Sequence, residues 1–367
     1  MTTTIDPRAR AALRTLDSYR PGTPIEEVKR ALRLRSVIKL ASNENALGPS
    51  PKALAALRKA TASLHRYPDA TCSVLRARLA KHWRLDPASI LVGNGSDELI
   101  VLALRAFVEP GEDIVVATPT FLIYELQGKA SGANVRTVPL HNFRYDLRAM
   151  RQAITSKTKL IFIANPDNPT GTYVTDAELR EFLAGLPTRV IVVIDEAYYE
   201  FVSAKEYPQT LSLLSQAPVI VTRSFSKAYG LAGLRVGYGM AQPSLIRAMD
   251  AVREPFNVNS LAQAAACAAL DDRAFLQQTR QLVRDGRQYL LRELAALKIR
   301  VVPSVTNFLL IELGPAAEHT ARALLEKGII VREMSAWKLN GFIRVTIGTM
   351  PENRRFVAAL KRCLNNQ

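Results

Sequence analysis

The sequence predicts an α/β fold: a mainly parallel sheet flanked by helices in a large domain, with a smaller α+β domain beside it. Three observations carry this expectation. Several short segments are continuous apolar, β-rich runs ending in turn residues, as strands covered on both faces are. Helical patterns separate them, and strand–helix alternation is the signature of parallel crossovers. Beyond about residue 245 the chain changes to a long helical stretch followed by short strands and helices.

In chain order, SILVGNGS (89–96) reads as a strand that turns into the helical pattern ELIVLALRAFV (98–108). DIVVATPT (113–120) and KLIFIANP (159–166) are further strands, and DAELREFLAGL (176–186) is a helix. RVIVVIDEAYY (189–199), PVIVTRSFSK (218–227) and LRVGYG (234–239) complete the predicted sheet. The right-handed crossover rule aligns the carboxyl ends of such strands along one edge, where ligand crevices form. Polar residues follow these strands at those ends. Later come a helical stretch through 260–298, the β-rich RVVPSVTNFLLIEL (300–313) and a helix at 316–327. GIIVRE (328–333), FIRVTIG (342–348) and a closing helix finish the chain. The large domain is expected at 45–245, and the smaller at 246–367 with the N-terminal arm 1–44.

Composition narrows the function. The chain has 367 residues, 48% of them apolar, enough for roughly two domains and a sizeable core. No segment approaches the ~20 apolar residues of a spanning helix, and MTTTIDPRAR runs straight into charge without a signal-like apolar stretch. Cys72, Cys267 and Cys363 have no metal-like spacing, so neither a disulfide framework nor a metal site is expected. A reduced, cytoplasmic enzyme is the expectation. The net charge of +16 invites a nucleic-acid reading. Yet the basic residues stand singly, in segments such as EEVKRALRLRS, without a nucleic-acid-binding motif. The charge reads as a solvated basic face; neither nucleic acid nor membrane is an expected partner.

The chemistry concentrates at the strand ends. SFSK (224–227) follows an apolar strand and precedes Arg235 by eight residues. A lysine there can condense with an aldehyde and afterwards move a proton. Ser224, Ser226 and Arg235 suit a phosphate. Alone, the segment is equally a Ser-rich turn with a solvated lysine. Asp195 ends a strongly apolar strand, where an unpaired carboxylate would be costly. It is either a helix cap or the partner of a cationic ring nitrogen, and Tyr198 stands three residues on. In NPDNPTG (165–171), two X-Pro steps and a glycine make a stiff turn able to aim Asn168 inward. GNGSDE (93–98) opens a helix with the backbone N–H groups of Ser96 and Asp97, suited to an anion or simply to a capped start. It lacks the third glycine of a dinucleotide fingerprint and the lysine of a Walker loop.

Taken together, GNGSDE, NPDNPTG, DEAYYEF and SFSKAYGLAGLR, in that order, resemble the fold-type I pyridoxal-phosphate aminotransferases over nearly the whole chain. KLASNENALGPSP (39–51), RYPD (66–69), the YRPG beginning at Tyr19 and the ending GIIVRE…FIRVTIG resemble the histidinol-phosphate aminotransferase branch in particular. The resemblance implies that Lys227 is the Schiff-base lysine, that Asp195 pairs with the pyridine nitrogen, and that Asn168 and Tyr198 hold the ring hydroxyl. It assigns the phosphate to Ser96, Asp97, Ser224, Ser226 and Arg235, with Tyr67 reaching the neighbouring subunit's cofactor in a homodimer with shared sites. Phe121 stands where the family usually has a tyrosine; it can stack on the ring but cannot donate a hydrogen bond. Arg344, assisted by Arg332, is the implied anion clamp, and Tyr19 and Asn43 line the mouth. The implied substrates are L-histidinol phosphate, 2-oxoglutarate and L-glutamate. An aromatic amino acid aminotransferase of the same fold is the alternative. A pyridoxal-phosphate-dependent phospho-amino acid decarboxylase stands further off.

Overall fold

The computed structural model describes residues 5–14, Leu16 and 22–365. Along the chain, α1 (Ile25–Leu32) and β1 (Ile38–Lys39) lead into α2 (Pro51–Ala60) and α3 (Ser73–Trp83). Then come β2 (Ile90–Gly93), α4 (Ser96–Phe107), β3 (Asp113–Thr118), α5 (Leu122–Ser131), β4 (Asn134–Pro139) and α6 (Leu147–Gln152). β5 (Thr158–Ala164), α7 (Asp176–Ala184), β6 (Ile191–Asp195), β7 (Val219–Ser224) and β8 (Gly237–Ala241) follow. The helices α8 (Pro243–Ala251), α9 (Ser260–Leu270) and α10 (Arg273–Ala296) precede β9 (Val301–Val302), β10 (Phe308–Glu312) and α11 (Ala317–Glu326). The chain closes with β11 (Ile329–Ile330), β12 (Arg332–Glu333), β13 (Phe342–Thr346) and α12 (Met350–Asn365).

Among the described residues, seven strands form the main sheet in the order β2-β8-β7-β6-β5-β3-β4. From β4 across to β7 all neighbours are parallel, and β8 lies antiparallel between β7 and β2. The sheet is mainly parallel, as expected. LRVGYG enters it only from Gly237, reversed in direction, because no crossover helix separates it from β7. The sequence reading missed β4, whose residues are mostly exposed or half-buried at the sheet edge and lack an apolar run.

The central strands bury Ile161 and Val221 on one face and Val193 on the other, and α4 adds Leu99, Ala103 and Leu104 to the same core. α8 and α9, expected with the smaller domain, pack here too: Ile246, Met249, Ala262, Ala265 and Ala266 belong to this same core. The second core starts with α10. It gathers Leu290, Leu294, Phe308, Ile343 and Phe356, with Leu40 from the N-terminal segment. Its antiparallel sheet runs β12-β13-β10-β9, and β1 pairs with β11. The helical stretch expected through 260–298 is two helices. Asp272 divides them, capping α10 through the Phe275 N–H at 3.4 Å while its other oxygen takes the Ser50 hydroxyl at 2.6 Å.

Strand alternation turns Asp195 and Glu196 to opposite faces. Glu196 meets Arg223 of β7 at 2.8 Å, with both side chains almost wholly buried. The Arg223 guanidinium lies 3.4 Å from the Tyr199 ring centroid and 4.1 Å from that of Trp83. Glu196 also accepts from the hydroxyls of Tyr207 at 3.1 Å and Thr210 at 3.0 Å. Arg223→Met is expected to destabilise the protein by about 3–5 kcal/mol, since it leaves Glu196 buried without its cation. Urea unfolding checks this, and a loss below about 1 kcal/mol would mark the pair as dispensable.

Candidate active site

The carboxyl ends of β5, β6 and β7 and the start of α4 enclose a cavity of about 210 Å³. Ten of the residues singled out in the sequence line it: Ser96, Asp97, Phe121, Asn168, Asp195, Tyr198, Ser224, Ser226, Lys227 and Arg235. They come from five separate segments, brought together because each follows a strand on the same edge.

Asp195 is the last residue of β6 and is buried. Its Oδ1 accepts the Ala197 N–H at 3.1 Å and the Thr222 hydroxyl at 3.2 Å; its Oδ2 accepts the Tyr124 hydroxyl at 2.7 Å. Burial pushes its pKa up to about 6, and these donors oppose the shift. Thr222 shares the face of Asp195 by parallel register, as alternation requires.

Lys227 lies across the same cavity, half-buried, its Nζ donating to the Ser42 carbonyl at 3.2 Å. Burial, followed by the nearby Arg344 charge, lowers its pKa to about 8. A substantial neutral fraction at physiological pH follows, which is what a nucleophilic amine needs.

The anion end is built from backbone and one cation. Gly95, with φ +83°, precedes α4 and leaves the Ser96 and Asp97 N–H groups at the helix start. A Cβ at Gly95 would come within 2.6 Å of the Arg235 guanidinium, so glycine is what admits that side chain over the turn. The Asp97 carboxylate pairs with Arg235 at 3.2 Å, so Asp97 offers an anion its N–H while its side chain orients the cation. Ser224 and Ser226 are buried beside them, the Ser226 N–H donating to the Ser224 hydroxyl at 3.0 Å.

A second chamber of about 100 Å³ adjoins, sharing Phe121, Asn168, Tyr198 and Lys227. Arg344 of β13 and Arg332 of β12 line it and are direct cross-strand partners. Both guanidinium groups lie over the Trp337 ring, at 5.8 and 5.1 Å. Arg344 is buried; it donates to the Asn168 Oδ1 and, at 2.9 Å, to the Ala41 carbonyl. With Oδ1 so engaged, Asn168 offers a ligand its N–H donors. Asn43 also lines this chamber; it is buried, and its amide donates to the Tyr198 hydroxyl at 2.9 Å. Burial raises the Tyr198 pKa to about 12 and keeps that hydroxyl protonated.

Two expectations lie elsewhere. Tyr67 is exposed, stacked on Phe256 at 4.7 Å, and does not line this chain's cavity. Tyr19 lies outside the described residues. The sequence reading passed over Tyr124, Thr222, Asp167 and Trp337. Asp167 is the buried hub of the NPDNPTG turn, accepting the hydroxyls of Thr120 at 2.6 Å and Thr170 at 2.7 Å. Tyr124 carried a usable signal, since it stands one helical turn after Phe121.

Residues 35–360 match the family model for aminotransferases of class I and II. The histidinol-phosphate aminotransferase of Moorella thermoacetica is 46% identical over 98% of this chain and 93% of its own length. That of an Anaeromyxobacter species is 46% identical over 95% of this chain and 97% of its own. Among solved structures, the histidinol-phosphate aminotransferase of Sinorhizobium meliloti, in complex with pyridoxal-5'-phosphate, superposes with a TM-score of 0.89 at 31% identity, covering 98% of both chains. The fold-type I architecture expected from the four strand-end segments is the architecture of this chain.

The Lys227 pKa has a direct chemical readout. Only the neutral amine reacts with an acylating reagent, so labelling of Lys227 is expected to rise with pH through a midpoint near 8 rather than 10.5. Residue-resolved mass spectrometry of labelled protein measures it. A midpoint at the ordinary lysine value would mean that burial and Arg344 leave the amine unperturbed.

Proposed function

From the premise that this chain belongs to the class I and II aminotransferases, we propose that it is a histidinol-phosphate transaminase. It moves an amino group reversibly from L-histidinol phosphate to 2-oxoglutarate, giving imidazole acetol phosphate and L-glutamate, and uses pyridoxal 5'-phosphate. The observation that carries this reading is the donor set around one cavity. A buried carboxylate, an amine of lowered pKa and a group of N–H donors, hydroxyls and a guanidinium converge there, next to a chamber with two arginines.

Those residues fit the cofactor. Arg235, Ser224, Ser226 and the N–H groups of Ser96 and Asp97 would hold its phosphate, and Phe121 would stack on its ring. Asn168 and Tyr198 would take the ring hydroxyl, Asp195 the ring nitrogen, and Lys227 the aldehyde. When bound, the cofactor supplies the electron sink for negative charge at the substrate's α-carbon. Asp195 keeps a proton on the ring nitrogen, and Lys227 Nζ takes the α-proton and returns it. Arg344 and Arg332 bind the substrate's anionic end, a carboxylate in one half of the reaction and a phosphate ester in the other. Tyr19 is proposed as a further substrate-binding residue.

We also propose a homodimer. Tyr67 and Phe256 form an exposed aromatic stack, and Leu64 and Val74 are exposed in the same part of the chain. A second copy would cover them and take the Tyr67 hydroxyl to its own cofactor phosphate. A cytoplasmic location is in keeping with three free cysteines.

The test is a half-reaction followed by the cofactor's visible absorption. L-histidinol phosphate alone is expected to convert the holoenzyme to its amine form faster than phenylalanine does. Faster conversion by phenylalanine would move the substrate to the aromatic alternative. Lys227→Ala is expected to abolish turnover with the far-ultraviolet circular dichroism unchanged; wild-type turnover would remove the central assignment. Sedimentation at micromolar concentration is expected to give a dimer, and a monomer would end the shared-site proposal.

A further inference from the structure

Tyr124 is buried on the first turn of α5, and its hydroxyl is the closest donor to the Asp195 carboxylate, at 2.7 Å. Its ring is clamped. It stacks on Phe162 of β5 with centroids 5.0 Å apart and planes 14° apart, and meets Phe121 edge-on at 5.5 Å. The helical turn that carries the proposed ring-stacking side chain therefore also carries a hydroxyl aimed at the proposed ring-nitrogen partner. The hydroxyl has one role available to it: burial and the neighbouring carboxylates hold the Tyr124 pKa far above its ordinary value, so it stays protonated and donates.

The rest of the shell around Asp195 leaves this bond distinct. Thr222 and the Ala197 N–H both go to Oδ1, so Tyr124 holds Oδ2. An ionised carboxylate offers about four acceptor sites, and these three donors leave room for one more. The charge of Asp97 at the start of α4 works against it, disfavouring the ionised form of Asp195. Of the contacts opposing burial, the Tyr124 bond is the largest.

We propose that Tyr124 is a positioning residue for the cofactor's ring nitrogen: by donating to Oδ2 it holds the Asp195 carboxylate ionised and oriented, so that Asp195 can accept the ring N–H. The inference rests on the pyridoxal-phosphate reading above. A buried tyrosine that merely fills space would serve stability alone.

Binding of two ligands to the purified apoprotein separates the two roles. One is pyridoxal 5'-phosphate; the other is its carbocyclic analogue, in which C–H replaces the ring nitrogen. Tyr124→Phe keeps both ring contacts and removes only the hydroxyl. It is expected to weaken pyridoxal phosphate binding roughly tenfold, the scale of one hydrogen bond to a charged group. Affinity for the analogue, which has no N–H for Asp195, is expected to stay within about twofold, as for a contact that is not coupled. Equal losses for both ligands, or no loss for either, overturn the proposal. Thr222→Val supplies a second variant on the opposite oxygen, expected to discriminate between the ligands in the same direction. The wild-type protein is the control for the underlying reading: if it bound neither ligand, the cofactor assignment would fail before the role of Tyr124 arose.

Discussion

The structure depends on burying two adjacent carboxylates at the end of one strand. Asp195 and Glu196 are consecutive, and alternation sends them to opposite faces of the sheet. A buried charge must be paired or hydrogen-bonded, and the two faces solve this differently. Behind the sheet, Glu196 has a full cation in Arg223 together with two hydroxyls, and that environment is closed. In front, Asp195 has only neutral donors and remains able to accept a cationic partner. The rear pair also joins β6 to β7, fixing Thr222 and Ser224 on the cavity side of their strand. A structural ion pair thus sets the geometry of the chemical face without touching it.

The two cores meet at the cavity, and the second contributes what the first lacks. The parallel sheet provides the Asp195 carboxylate, the Lys227 amine and the N–H groups, hydroxyls and guanidinium around Arg235, all near strand or helix ends. The small antiparallel sheet provides Arg332 and Arg344, placed side by side by cross-strand register. Arg344 then ties the parts together, reaching Asn168 after β5 and the Ala41 carbonyl of the N-terminal segment. Asn43 adds a second tie through Tyr198. The second chamber is consequently part of the same hydrogen-bonded shell as the first cavity.

What was legible in the sequence followed from chain-local patterns. Apolar runs ending in polar turns gave away five strand ends, and the residues there, from Ser96 to Arg235, do converge. β4 was hidden because an edge strand buries too little to show an apolar run. The division between the cores was read too early, since alanine-rich α9 resembles any helix until its partner is known. Asp272 looked like an ordinary helical residue because its role as a break depends on Ser50, more than two hundred positions away. Tyr124 and Trp337 were missed for the same reason. A buried tyrosine or tryptophan reads as core, and only the fold reveals that one meets Asp195 and the other lies under two arginines.

The position of Arg344 gives it an electrostatic role beyond binding. Its charge is the second cause, after burial, of the lowered Lys227 pKa. At the lower effective dielectric of a protein interior such a charge acts over several ångströms. An anion seated on Arg344 would offset that charge at the lysine and make the amine a stronger base. On the proposed assignment, the guanidinium that binds the substrate's anion would thus keep Lys227 partly neutral while the chamber is empty and would let its basicity rise once the chamber is filled. A neutral ligand of the same shape would leave the amine unchanged, so substrate charge and proton affinity at Nζ are coupled through one residue.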